Sequence, residues 1–222
     1  MTDASSPRDP VAEKEAFASY INELREILAL SIVQPISASH IRMLRSHSDA
    51  LLTQLRQHRQ KRALPLYNVK KSDGPFTDKD CNELQPYSPV AGNLNPIAPP
   101  LLFRIERDAE GERVYGDVTL GTLYEGPPGA VHGAVLSAIY DQLLATANVV
   151  SGTAGPTAWL KVNFTKPTPL NAPLTFVAWK AEQDGRKITM RGECFANGEL
   201  VTDCEALFIQ FIPKGVADAI KR

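Results

Sequence analysis

The sequence predicts an α+β chain, an antiparallel sheet with one buried helix and further helices ahead of it. Three observations lead there. Residues Ala134 to Val150 are almost all apolar or small with no clear polar face, as in a helix enclosed by protein. The stretches on either side of it alternate apolar and polar residues with the period of two that marks strands. Before them, apolar residues recur every three or four positions, the helical period.

The bulk properties narrow the function classes. A chain of 222 residues, 43% of them hydrophobic, can build a sizeable core as one domain with an extension or as two small domains. A formal charge of -1 argues against a general polyanion binder, so no nucleic-acid partner is expected. Three cysteines imply no even disulfide framework and favour a reduced compartment. The opening from Met1 to Pro10 lacks the basic start and apolar run of a secretory signal and is unlike an Arg-rich transit peptide, so the cytoplasm is expected, without stable membrane insertion.

Pro10 can open a first helix, with Phe17, Tyr20, Ile21, Leu24, Ile27, Leu28 and Ile32 on its apolar side. Gln34-Pro35 interrupts it, and a second helix starts near Ser37 or Ser39 with Ile41, Leu44, Leu51 and Leu55 on one side. The pair is expected to cover the sheet or join subunits. Arg56, Arg59, Lys61, Arg62, Lys70 and Lys71 form a basic run that a solvated face explains; phosphates of a ligand or an acidic membrane are rarer reasons. From Ala63 to Pro100, prolines and turn formers predict a long ordered connector.

Leu101, Phe103 and Ile105, then Val114, Gly116, Val118 and Leu120, predict a hairpin turning near Glu110-Gly111. After the central helix, Ala158, Leu160, Val162 and Phe164 alternate along a strand with Thr157 at its entrance. A two-residue turn at Asp184-Gly185 would set Ala181 against Ile188 and Trp179 against Met190. The same turn at Asn197-Gly198 would set Cys194 against Val201, away from Cys204, which disfavours a disulfide. Ala206 to Ile212 is apolar on both faces, as in a central strand, and Pro213 ends it.

The chemistry concentrates between Tyr124 and Asp141. Asp141 sits mid-helix, where a carboxylate needs either a structural hydrogen bond or a catalytic reason. Gly126-Pro127-Pro128-Gly129 stiffens the entry, and Gly133 leaves an amide at the positive end of the helix open to a carbonyl oxygen, as in an oxyanion hole. His132 can cap the helix, orient the loop or touch substrate. At about 1.5 Å per residue, His132 and Asp141 stand roughly 13 Å apart, so a site using both ends needs two chains related by two-fold symmetry. Four histidines and three cysteines are scattered without ligand spacing, so no metal is expected. Nucleophile-elbow, phosphate-loop and dinucleotide motifs are absent from the sequence.

Glu125-Gly-Pro-Pro-Gly-Ala-Val-His132-Gly133, Asp141, and Thr157-Ala-Trp-Leu-Lys-Val-Asn-Phe-Thr-Lys-Pro-Thr-Pro-Leu170 together resemble the hotdog-fold acyl-CoA thioesterases. The likeness is to the phenylacetate-pathway-like and carboxy-terminal-modulator-like group of the 4-hydroxybenzoyl-CoA thioesterase superfamily, over roughly Asn95 to Pro213. It implies a sheet wrapped around the long helix and a homodimer, or a pair of dimers, with active sites at the subunit interface. It implies an acyl-CoA substrate and no cofactor beyond the coenzyme A of that substrate. By resemblance, Asp141 takes the position of the catalytic carboxylate, Gly133 that of the amide binding the thioester carbonyl, and Thr157 that of a hydroxyl placing the water or the carboxylate. His132 and Ala134 would border the substrate; the family usually has a second glycine where Ala134 stands, and its methyl group would narrow the entrance. Hotdog hydratases carry an Asp where this chain has Pro127, which disfavours a hydratase or dehydratase. A non-catalytic module binding acyl-CoA or a protein is the alternative. The expected division is an N-terminal helical extension (1–62), a Pro-rich connector (63–94), the hotdog domain (95–213) and a C-terminal tail (214–222).

Overall fold

A computed structural model describes residues 10–32, 36–57, 74–109 and 111–211. Two helices come first, α1 (Pro10–Ile32) and α2 (Ala38–Gln57), then a short α3 (Asp78–Glu83). The hairpin β1 (Leu102–Asp108) and β2 (Gly111–Thr119) leads through a 3-10 turn (Thr122–Tyr124) into α4 (Gly133–Val150). Then come β3 (Thr157–Phe164), β4 (Pro173–Asp184), β5 (Lys187–Ala196) and β6 (Glu199–Ile209). All pairings are antiparallel in the order β1-β2-β4-β5-β6-β3, so β3 crosses to the far edge of the sheet.

The helix α4 lies against this sheet because one side of it is Leu136, Ile139, Tyr140, Leu143, Leu144 and Ala147, all buried. They meet Val114, Phe176, Ala178, Ile188, Met190 and Phe208 in one cluster. Each of the Val, Leu, Ile, Met and Phe side chains so removed from water stabilises the fold by about 1.5–3 kcal/mol. Tyr140 packs edge-on against Phe176, ring centroids 5.2 Å apart, and its hydroxyl meets Thr202 Oγ1 at 2.7 Å. Burial, partly offset by that hydrogen bond, pushes the Tyr140 pKa up, so the phenol stays neutral.

Several expectations change. The β4–β5 loop is Gly185-Arg186, not Asp184-Gly185: Asp184 faces Lys187 and Gln183 faces Ile188. A bulge between Lys180 and Glu182 shifts the register again, so Lys180 faces Met190 and Trp179 faces Arg191. The Trp179 ring lies instead on the polar face, with the Arg113 guanidinium 5.0 Å from its centroid. The Asn197-Gly198 turn holds, both residues having positive φ (53° and 79°), but a bulge beyond it sets Cys194 against Thr202 rather than Val201. Cys204 faces Gly192, and all three cysteines are free and buried. In β6, Ala206 and Phe208 are buried while Leu207 and Ile209 are half-buried, so only one face is fully covered; Ile212 and Pro213 lie outside the described residues.

The described part of the connector contains a helix that its prolines hid. Thr77 and Asp80 form a reciprocal capping box that starts α3, with the Asp80 amide donating to Thr77 Oγ1 at 3.2 Å and the Thr77 amide to Asp80 Oδ2 at 2.9 Å. Asn82 then ties α3 to β1 through both the amide and the carbonyl of Phe103. Helix α1 docks through buried Ile21 and through Arg25, whose guanidinium donates to the carbonyls of Gly92, Asn95 and Ala98. Helix α2 has no buried residue. Of the basic run, Arg56 is exposed and the other five lie outside the described residues, as does the C-terminal tail.

Candidate active site

The loop entering α4 is a closed, pinned turn. Gly126 N–H donates to Ala130 O (2.9 Å), Ala130 N–H to Pro127 O (2.9 Å), and Gly129 N–H to Glu125 Oε1 (2.7 Å). Outside the turn, Val131 N–H donates to Thr168 O and His132 N–H to Tyr124 O, each at 2.9 Å. Gly126 is required by close approach: a Cβ there would stand 2.7 Å from His132 Cα.

His132 is the N-cap of α4. Its backbone is extended, and its Nδ1 accepts from Ala134 N–H at 3.0 Å, which places the neutral ring's proton on Nε2. Its carbonyl accepts from Val135 and Leu136. Of the first four amides of α4, these bonds engage three, and Gly133 N–H has no acceptor among the described residues. That amide lies at the positive end of an 18-residue helix, beside a cleft of about 460 Å³ walled by Pro127, Pro128, Val131, Leu136 and Phe164. Phe164 closes in on Gly133: a methyl group on Gly133 would stand 3.3 Å from Phe164 Cζ.

Two turns further along α4, Asp141 is exposed and its Oδ1 accepts from Thr157 Oγ1 at 2.8 Å. This corrects the enclosed surroundings expected for α4, since a single chain leaves the strip through Ala134 and Asp141 uncovered. The structure therefore brings together Asp141 with Thr157, and His132 with Ala134 and Gly133. It does not bring the two groups together, because Asp141 does not line the Gly133 cleft. Among the described residues no three His, Cys, Asp or Glu side chains gather as a metal-ligand set.

Phe164 escaped the sequence reasoning as a site residue because its place in the alternation of β3 reads as core, yet it is 53% exposed. Next to Asp141 in the chain, Gln142 Oε1 accepts from the hydroxyl of the buried Ser88 at 3.0 Å, which ties α4 to the segment ahead of β1.

No protein-family model matches the chain. Among solved structures, a crystal structure of a thioesterase superfamily protein is 29% identical, covers 93% of this chain and 94% of its own, and superposes with a TM-score of 0.76. Such coverage includes the N-terminal helices. A phenylacetic acid degradation-related protein from Ralstonia eutropha JMP134 is 22% identical over 50% of this chain and 84% of its own, with a TM-score of 0.45. A hypothetical thioesterase from Streptococcus pneumoniae TIGR4, crystallised with coenzyme A, is 22% identical over 48% of this chain and 87% of its own, with a TM-score of 0.43.

Proposed function

We propose that this chain, which belongs to the hotdog-fold thioesterase superfamily, is an acyl-CoA thioesterase hydrolysing an acyl-CoA thioester to the free acid and coenzyme A. The observation carrying this reading is the Asp141 carboxylate, open to solvent on a largely packed helix and steadied by Thr157 at 2.8 Å. Support also comes from the Gly133 amide on the same helix, which has no acceptor among the described residues.

In this reading Gly133 N–H receives the thioester oxygen as negative charge develops on it. Asp141 supplies the attack by one of two routes. As a general base it takes a proton from water, whose oxygen bonds to the carbonyl carbon; collapse breaks the C–S bond and the thiolate leaves with the electron pair. As a nucleophile it bonds to that carbon itself, releasing the thiolate and leaving a mixed anhydride that water cleaves. A thiolate whose conjugate acid has a pKa of about 8.5 leaves without a dedicated acid. Thr157 holds one carboxylate oxygen and leaves the other to work. Gly133 and Asp141, eight positions apart, stand roughly 12 Å apart along a helix. A complete site therefore takes Gly133 from one protomer and Asp141 of the partner subunit, giving a homodimer with two equivalent sites.

The test is a panel of acyl-CoA esters followed with a thiol-reactive dye. Turnover is expected with at least one ester and is expected to fall by about 10²–10⁴ in Asp141→Ala. Turnover surviving that substitution removes the carboxylate from the mechanism, and no turnover with any ester supports a binding module. Single-turnover hydrolysis in heavy-oxygen water, with label sought in Asp141, separates the two routes.

A further inference from the structure

We propose that α2 docks on the outward face of α1 in a second copy of this chain, so that two protomers exchange their second helices. Every residue of α2 is exposed. Ile41, Leu44, Leu51 and Leu55, with Ser48 in the remaining position, follow the alternating three- and four-residue spacing of a helix-pairing seam, and Leu52 widens it. In proteins a helix gains most of its stability by burying such a face, and a contiguous apolar patch in water marks an interaction surface.

The complementary surface is on α1. Ile21 and Arg25 face its own chain, which turns Glu23, Glu26, Ile27 and Leu30 outward; Ile27 is 55% and Leu30 59% exposed. Two apolar side chains thus stand among carboxylates. On α2, Arg42, Arg45 and Arg56 run along one side of the apolar seam, with Asp49, the helix's sole acid, between them, so that edge is net basic. Apolar stripe meets apolar pair, and guanidinium edge meets carboxylate edge. Within one chain neither stripe is covered, although only residues 33–37 separate the helices. Reciprocal exchange covers both in both copies and closes with two-fold symmetry. A basic amphipathic helix could also lie on an anionic bilayer, but the exposed Glu13, Glu15, Glu23 and Glu26 of the adjoining α1 would be repelled there.

The experiment is disulfide trapping in the full chain, where the three native cysteines are buried. Ile27→Cys chains are mixed with separately mass-tagged Leu44→Cys chains, and in a second mixture with Leu51→Cys chains, which covers both helix directions. Ser46→Cys, on the polar side of α2, is the control. The expected result is a two-mass disulfide dimer in at least one mixture, in yield above the control on the order of tenfold, as the proximity of docked helices dictates. Chains carrying Ile27→Cys together with Leu44→Cys or Leu51→Cys are oxidised alongside, and a bond formed only within such single chains, with none across the mixtures, means that α2 folds back on its own α1 and overturns the exchange. Yields equal to the control also overturn it, as does α2-dependent pelleting with phosphatidylserine vesicles without cross-chain trapping. Because α2 is exposed throughout, folding of the α2 variants is expected to be intact, which circular dichroism checks.

Discussion

Thr157 Oγ1 donates a 2.8 Å hydrogen bond to Asp141 Oδ1, joining the first residue of an edge strand to the middle of the central helix. A hydrogen bond to a charged group contributes about 1.5–3 kcal/mol, so Thr157→Val is expected to lower kcat by about tenfold to a hundredfold. Thr157→Ser, which keeps the hydroxyl, should retain most activity. The unfolding midpoint should barely move in either, since the bond is exposed; a midpoint that falls along with kcat would make the residue structural.

The Gly126 contact predicts a loss in both readouts. A methyl group 2.7 Å from His132 Cα meets backbone, which cannot swing aside. Gly126→Ala should therefore cost about 1–3 kcal/mol in a urea titration, with activity lost as the loop shifts. His132→Ala removes the cap to Ala134 N–H, at a cost of about 1 kcal/mol in stability, and His132→Asn should recover it.

Arg25 fixes the extension. Its Nε and Nη2 serve the carbonyls of Ala98, Gly92 and Asn95 at 3.0 to 3.2 Å, and burial, opposed by Tyr124, lowers its pKa. Arg25→Ala leaves those carbonyls unserved and should cost about 1–3 kcal/mol. That corresponds to a Tm lower by about 2–4 °C per kcal/mol for a chain of this size. Arg25→Lys should not restore it, since an ammonium lacks the planar fork.

The thiols yield a prediction in pH. Burial pushes Cys81 and Cys194 up to about 12, with Asp78 adding to the effect at Cys81, and burial raises Cys204 as well. A thiol-reactive dye should find no reactive thiol in the native protein and three after denaturation. A folded pKa above the unfolded one means that the unfolded chain sheds these protons first. The thiols are then neutral in their effect below about pH 8.5, and stability declines from there toward about 12. Urea midpoints measured between pH 7 and 10 check the slope, and Cys194→Ala should flatten it.

Much of this was legible in local pattern. The alternation of Phe103, Ile105, Val114 and Val118 marks β1 and β2, and the apolar run from Ala134 marks α4, because period and burial coincide there. Local pattern fails where one residue changes register: the bulges near Ala181 and Val201 offset both hairpins, and nothing in either strand's composition announces them. The capping box of α3 uses Asp80 where Glu or Gln is usual, so it passed as connector. The crossing of β3 to the side of β6, which carries Thr157 to Asp141, is a long-range pairing that no window of sequence contains. Asp141 stood out as a polar residue on an apolar helix, but its exposure in a single chain depends on what the rest of the fold leaves bare.

Strand β3 holds Thr157 at one end and Phe164 at the other, and among the described residues it bonds to β6 along one side only. Its second side is an open row of backbone donors and acceptors. Any chain seated along that row would set the strand's tilt, moving the hydroxyl over the carboxylate and the ring over Gly133 in a single displacement. Rate per protomer should accordingly decline on dilution well before the helical signal does, with the strand's amide exchange quickening in step.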